Sequence, residues 1–189
     1  AMRHQAAGRL GEETTGHMQH LAMKGARFDI VLLPSSPTAH GLERVQFQVA
    51  ANKGNPSRPL NKVASGGELA RISLSLQVVT SQNTQVPTLM FDEVDTGIGG
   101  GVAEMVGKAL RALGKKHQVL AVTHRPQVAS CGENHWQVRK HSEGEQTVSE
   151  ISVLDHQQRI EEIARMLGGE IITDTTRSHA AELISLAAA

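Results

Sequence analysis

The feature that most constrains this 189-residue chain is a short apolar run, Thr88-Leu89-Met90-Phe91, that stops abruptly at two acids, Asp92 and Glu93. Four apolar-rich residues are too few for a buried helix and suit a buried strand. A second such run, residues 118–123, follows after a helical pattern over residues 102–113, and a helix face marked by Leu69, Ile72, Leu76 and Val79 precedes both. Helix and strand therefore alternate, which predicts an α/β fold with a largely parallel sheet flanked by helices. Open sheets of this kind place ligands beyond the carboxyl ends of their strands, so the position of Asp92 and Glu93 is itself a functional signal.

The remaining segments frame that unit. Met2, Ala6, Leu10, Met18 and Leu21 recur at helical intervals without an N-cap, as in a truncated helical arm over residues 1–24, with glycines at 8, 11 and 16 weakening it. Residues 25–189 form the lobe proper. Residues 28–33 and 44–50 read as strands, the second alternating Val45, Phe47 and Val49 on one face, with Pro34, Pro37 and Gly41 expected to turn the chain between them. Residues 52–59 read as a loop, with Lys53, Arg58 and Lys62 in or beside it. Strands over 135–140 and 147–154 about a turn near Gly144, then helices over 157–167 and 175–186, complete the chain.

Composition excludes several function classes. Lys plus Arg and Asp plus Glu both number 19, so the whole chain lacks the strong positive field of a self-sufficient DNA-binding domain. Three Phe, one Trp and no Tyr supply no platform for stacking single-stranded bases. Cys131 is the lone cysteine and has no internal disulfide partner, which with the lack of a secretory leader favours a cytoplasmic setting. No apolar run approaches the roughly 20 residues of a membrane-spanning helix. The histidines show no zinc-like spacing with Cys131 or one another, and nothing resembles a nucleophile elbow.

Three short stretches carry the candidate chemistry. Ser65-Gly66-Gly67-Glu68 stands directly before the helix face that begins at Leu69. Ser65 and Glu68 fit a capping box. Equally, two glycines at a helix start remove side chains where an anion could approach exposed N–H groups and the positive dipole end, with the Ser65 hydroxyl as a further donor. Asp92 and Glu93, read blandly, belong to a solvated acidic loop. Read as chemistry, they resemble the Walker B element of P-loop ATPases. In that element the first acid, Asp92, serves the magnesium shell, and the second, Glu93, orients or deprotonates the attacking water. The glycine-rich connection at residues 95–101 brings backbone close to another surface. His124, just past the second parallel strand, is a structural histidine on one reading and a phosphate ligand beside Asp92 on the other.

In chain order, Ser65-Gly66-Gly67-Glu68, Phe91-Asp92-Glu93-Val94-Asp95 and Thr123-His124 resemble the signature motif, Walker B with D-loop, and switch histidine of the ABC ATPases. The longer strings at residues 62–71, 91–98 and 123–129 are similar to the RecN branch of the SMC-like ABC ATPases, and the likeness covers practically the whole chain. Glu68, where transporter domains usually carry Gln, favours that branch. Arg125 stands where the likeness leads one to expect an apolar residue. No G-x-x-x-x-G-K-(S/T) phosphate loop occurs in this sequence: Gly107-Lys108 is followed by Ala109, and Gly114-Lys115 by Lys116.

The resemblance implies the C-terminal half of an ABC/SMC-type head, with residues 1–24 ending a coiled-coil arm. It implies that ATP and Mg2+ bind only once the N-terminal half supplies the phosphate loop, and that two heads sandwich two nucleotides. Ser65, Gly66, Gly67 and Glu68 would then reach the γ-phosphate held by the other head. Asp92 would act beside magnesium, Glu93 as catalytic base, His124 as γ-phosphate sensor, and Asp95 as a contact across the homodimer. The implied role is repair of DNA double-strand breaks in a bacterial, nucleoid-associated setting, with DNA and RecA as partners and no membrane. Two other readings stay open from sequence: a half-head of another SMC/Rad50-like or transporter ATPase, and a non-catalytic interaction module.

Overall fold

A computed structural model describes residues 2–62, 66–81, 86–143, 146–169 and 171–188. The chain divides into two compact units, Ala1–Val122 and Thr123–Ala189.

The first unit opens with α1 (Met2–His20), continuous through its three glycines. Only Gly11 among them is forced: a Cβ there would lie 3.1 Å from the Phe28 carbonyl, so the missing side chain lets the following strand pack against the helix. Next come β1 (Arg27–Thr38), β2 (Gly41–Ala50) and the two-residue β3 (Arg58–Pro59), antiparallel in the order β1-β2-β3. Contrary to the expectation that they turn the chain, Pro34 and Pro37 lie within β1, which runs straight through them. It is an edge strand, where a missing N–H costs no ladder bond. Its register shifts between Pro34 and Thr38, and the reversal waits for Gly41, whose φ of 113° suits glycine.

Cross-strand pairs Phe28↔Val49, Ile30↔Phe47 and Leu32↔Val45 share one face of this sheet. Its inner end joins Met18, Met23 and Ile72 in the first core, while Val45 and Phe47 toward the outer end stay exposed. A 3-10 turn (Leu60–Lys62) leads toward α2 (Gly66–Thr80). The buried side of α2 carries Arg71, Ile72, Leu74 and Ser75, and Leu69 is 43% exposed instead of belonging to it.

Strands β4 (Thr88–Phe91) and β5 (Gln118–Ala121) pair in parallel as expected, with α3 (Gly100–Gly114) between them in sequence. Parallel pairing among the described residues is confined to these two strands. They are level at their ends, Phe91 opposite Ala121, and the Val122 N–H adds one more bond to the Phe91 carbonyl.

The second unit holds the short α4 (Pro126–Ala129), the hairpin β6 (Trp136–Glu143) and β7 (Gln146–Val153), α5 (His156–Gly168) and α6 (Asp174–Ala188). The turn at Gly144 lies outside the described residues. Ile163 and Ala164 of α5 pack on Ala180 and Ile184 of α6 to make the second core. A complete capping box starts α5: Asp155 accepts from the Gln158 N–H at 2.8 Å, and the Asp155 N–H donates to Gln158 Oε1 at 3.0 Å.

Candidate phosphate-handling site

The end of β4 delivers Asp92 and Glu93 to the surface, and both carboxylates are exposed. Asp92 Oδ1 accepts from the Glu93 N–H at 2.9 Å. Glu93 adopts φ 55°. This left-handed conformation costs a non-glycine residue about 1–3 kcal/mol, so its surroundings must hold it there. The chain then tightens: the Thr96 N–H donates to the Glu93 carbonyl at 3.1 Å, and Gly97 follows at φ 74°. Val94 and Ile98 are buried and pin this turn from beneath. Asp95 is 1% exposed, so in this chain its carboxylate is turned inward.

The glycine-led end of α2 meets this loop. A Cβ on Gly66 would lie 3.1 Å from the Glu93 carboxylate, so a helix start suited to anions is already approached by an anionic side chain of its own unit. Gly67 is buried, and a Cβ on it would stand 3.0 Å from the Thr96 carbonyl and 3.2 Å from Arg71 Nη1. Arg71 Nη1 donates to that same carbonyl at 3.0 Å. Burial pulls the Arg71 pKa below its ordinary value, and the neighbouring Glu68 carboxylate opposes the shift. Gly66, Gly67, Glu68, Asp92, Glu93 and Asp95 thus gather in the first unit. Ser65 lies outside the described residues.

His124 belongs to the second unit and is exposed. Thr123 Oγ1 accepts from the Arg125 N–H at 3.0 Å, fixing the turn that leads from His124 into α4 without serving as its N-cap, which is Arg125. The stretch after His124 is held from α5. Arg159 Nη2 donates to the carbonyls of Ala129 at 3.3 Å, Ser130 at 2.7 Å and Gly132, and Nη1 reaches the Glu133 carbonyl at 3.3 Å. Beside it, Glu162 accepts from Gln137 and takes two bonds from Arg165 at 2.7 and 2.8 Å.

No protein-family model matches the chain. Proteins described as DNA repair protein RecN do. That of Xylella fastidiosa is 49% identical over 185 residues, covering 96% of this chain and 33% of its own. That of Vibrio cholerae is 47% identical, covering 88% and 30%, and that of Mycobacterium leprae 40%, covering 98% and 35%. This chain is a RecN-type segment. It spans about a third of the length of these relatives and fits their C-terminal half.

Solved structures with the same fold are SMC heads. The head with coiled coil and joint from Pyrococcus yayanosii aligns at TM-score 0.63 and 17% identity, covering 86% of this chain and 29% of its own. The Pyrococcus furiosus head bound to the C-terminal domain of ScpA aligns at 0.58 and 17%, covering 88% and 38%. Two arginines of this RecN-type segment escaped the sequence reading. Arg71 and Arg159 act on backbone carbonyls 25 and 26–30 residues away, a pairing for which no local motif exists.

Proposed function

We propose that this chain is the acid-bearing and signature-bearing half of an SMC-type head that hydrolyses ATP when two heads close, in the repair of DNA double-strand breaks. The observation that carries the reading is the level parallel pair β4–β5, from whose end exposed Asp92 and Glu93 project beside the glycine-led start of α2. The residues fit the group they would serve. Magnesium in phosphoryl-transfer sites is held through one or two carboxylates plus phosphate oxygens and water, so Asp92 suffices without a protein cage. When bound, the ion supplies neutralisation of the charge developing on the transferred phosphoryl group.

Glu93 would then take the proton of the attacking water and His124 would donate to the γ-phosphate of the nucleotide on this chain's own head, while the N–H groups at Gly66 and Gly67, with Ser65 and Glu68, would reach the γ-phosphate of a nucleotide seated on a second head. Glu93 must withdraw from Gly66 for this to happen, and Asp95 must turn outward to touch the second head. The sheet also supports the presence of a missing half. Cross-strand neighbours Met90 and Leu120 are 69% and 36% exposed on a two-stranded parallel sheet, an arrangement that is ordinarily covered on both faces. The N-terminal half of the head, carrying the phosphate loop, is the proposed cover; DNA and RecA are the proposed partners of the whole protein.

The test compares ATP turnover by this chain alone, by the full-length protein, and by full-length Glu93→Gln. We expect background turnover from the chain alone and a loss of about 10²-fold or more in kcat from the substitution, the scale of a removed general base. Glu93-dependent turnover by the chain alone would refute the reading.

A further inference from the structure

The contacts around Arg71 close a ring. Helix α2 presents Arg71 to the Thr96 carbonyl, the Thr96 N–H is bonded to the Glu93 carbonyl, and the Glu93 carboxylate returns to Gly66 at the start of α2. Arg71 is 6% exposed, and its Nε has no hydrogen-bond partner among the described residues. A guanidinium so placed is costly to bury, which a merely space-filling side chain would avoid. It fits only because Gly67 leaves a slot: any Cβ there would press on both Arg71 Nη1 and the Thr96 carbonyl.

We infer that Arg71 is a positioning residue that fixes the backbone of residues 93–97 against α2, so that Glu93 keeps its left-handed geometry while its carboxylate swings clear of Gly66 when the site engages phosphate. The inference rests on the proposed ATPase reading and deepens it. Arg71 touches no reacting atom and acts through Thr96. Removing it frees the strained Glu93 backbone to relax from its left-handed φ of 55°, which moves the base away from the water it must deprotonate. Nucleotide held by the phosphate loop of the N-terminal half should not sense the change.

The experiment uses the full-length protein with Arg71→Met, Arg71→Lys and Arg71→Leu, reading kcat and KM for ATP together with hydrogen exchange of the amides of residues 93–97. Arg71→Met should lower kcat roughly tenfold, the scale of couplings carried through packed networks, with KM within about twofold, and should speed exchange in that loop. Arg71→Lys, which keeps one charged donor for the carbonyl, should recover most of kcat. Should the Met variant fail to fold, Arg71→Leu, which also lacks a donor, takes its place with the same expectation. The inference is overturned if kcat stays within about twofold of the parent, if kcat and KM worsen together, or if Lys recovers nothing while exchange is unchanged. Failure of the underlying reading shows separately, as full-length turnover indifferent to Glu93→Gln.

Discussion

The two parallel strands of this chain are each followed by a segment that an arginine holds by its backbone, and the two grips differ in strength. After β4, Arg71 gives one bond to one carbonyl, that of Thr96. After β5, Arg159 reaches four carbonyls, those of Ala129, Ser130, Gly132 and Glu133, gathering up the C-terminal end of α4 where unpaired acceptors are concentrated. The first loop contains a left-handed glutamate and a glycine at positive φ; the segment behind His124 contains a short helix and a hydroxyl-closed turn. One anchor point suits a loop whose backbone must stay while the Glu93 side chain moves. Four suit a support that must not move at all.

The largest effect should follow from removing the stronger grip. Arg159→Met keeps the aliphatic stem and deletes every donor, and charge-assisted hydrogen bonds contribute about 1.5–3 kcal/mol each only when fully buried. These carbonyls are partly reachable by water, so we expect a loss of about 2 kcal/mol for the set. Urea denaturation read by the lone tryptophan, Trp136, reports on this unit directly. A change under about 0.5 kcal/mol would mean that the segment is held by packing alone and that the contrast with Arg71 is one of appearance.

Why sequence revealed one side of this comparison better than the other follows from range. Strands β4 and β5, helix α3, the β6–β7 hairpin, α5 and α6 were legible to within a few residues because periodicity and turn chemistry are local. The acids at 92 and 93 were legible because a strand that stops at two carboxylates leaves them at its end. The path of β1 through Pro34 and Pro37 was not, since only the pairing order makes it an edge strand. Ile72 is buried as the pattern suggests, but Leu69 is not, because the buried side of α2 is turned to include Arg71 and Ser75, polar residues whose burial depends on what they meet across the fold. The Asp155–Gln158 box has a spacing as readable as that of Ser65 and Glu68, but without glycines beside it nothing marked it for chemistry, and it went unread.

A smaller effect tests how the second unit's grip responds to acid. Burial holds His135 below its ordinary pKa, Arg159 adds to that, and Glu162 pulls the other way. For Glu162, burial alone would raise the pKa, but its bonds from Arg165, with the Arg165 charge, His135 and Gln137 behind them, leave it lowered. Both groups therefore bind protons more tightly when unfolded. Stability is present in full above the unfolded values and falls in acid, first as pH drops below about 6.5 for His135 and then below the ordinary carboxylate range for Glu162. His135→Gln should remove the upper step, so the urea midpoint of the variant should change less than the parent's between about pH 7.5 and 5.5. Parallel losses in the two proteins would assign the acid sensitivity elsewhere.

The finest test separates two helix starts that look alike in sequence. Gly67 and Gly101 each occupy the second position of a helix, α2 and α3. Alanine at either one gains about 0.5–1 kcal/mol of helix propensity and lost unfolded-chain freedom. At Gly101 a Cβ would meet nothing within 4 Å, so that gain should survive. Stability should rise there by under about 1 kcal/mol. At Gly67 the Cβ must displace the Thr96 carbonyl and the Arg71 guanidinium. Such crowding costs about 1–3 kcal/mol and should reverse the sign. Far-UV circular dichroism during urea denaturation measures both. Equal responses would mean that the glycines of α2 serve only to let a ligand approach, and that the loop beyond Glu93 has room to stand away from the helix.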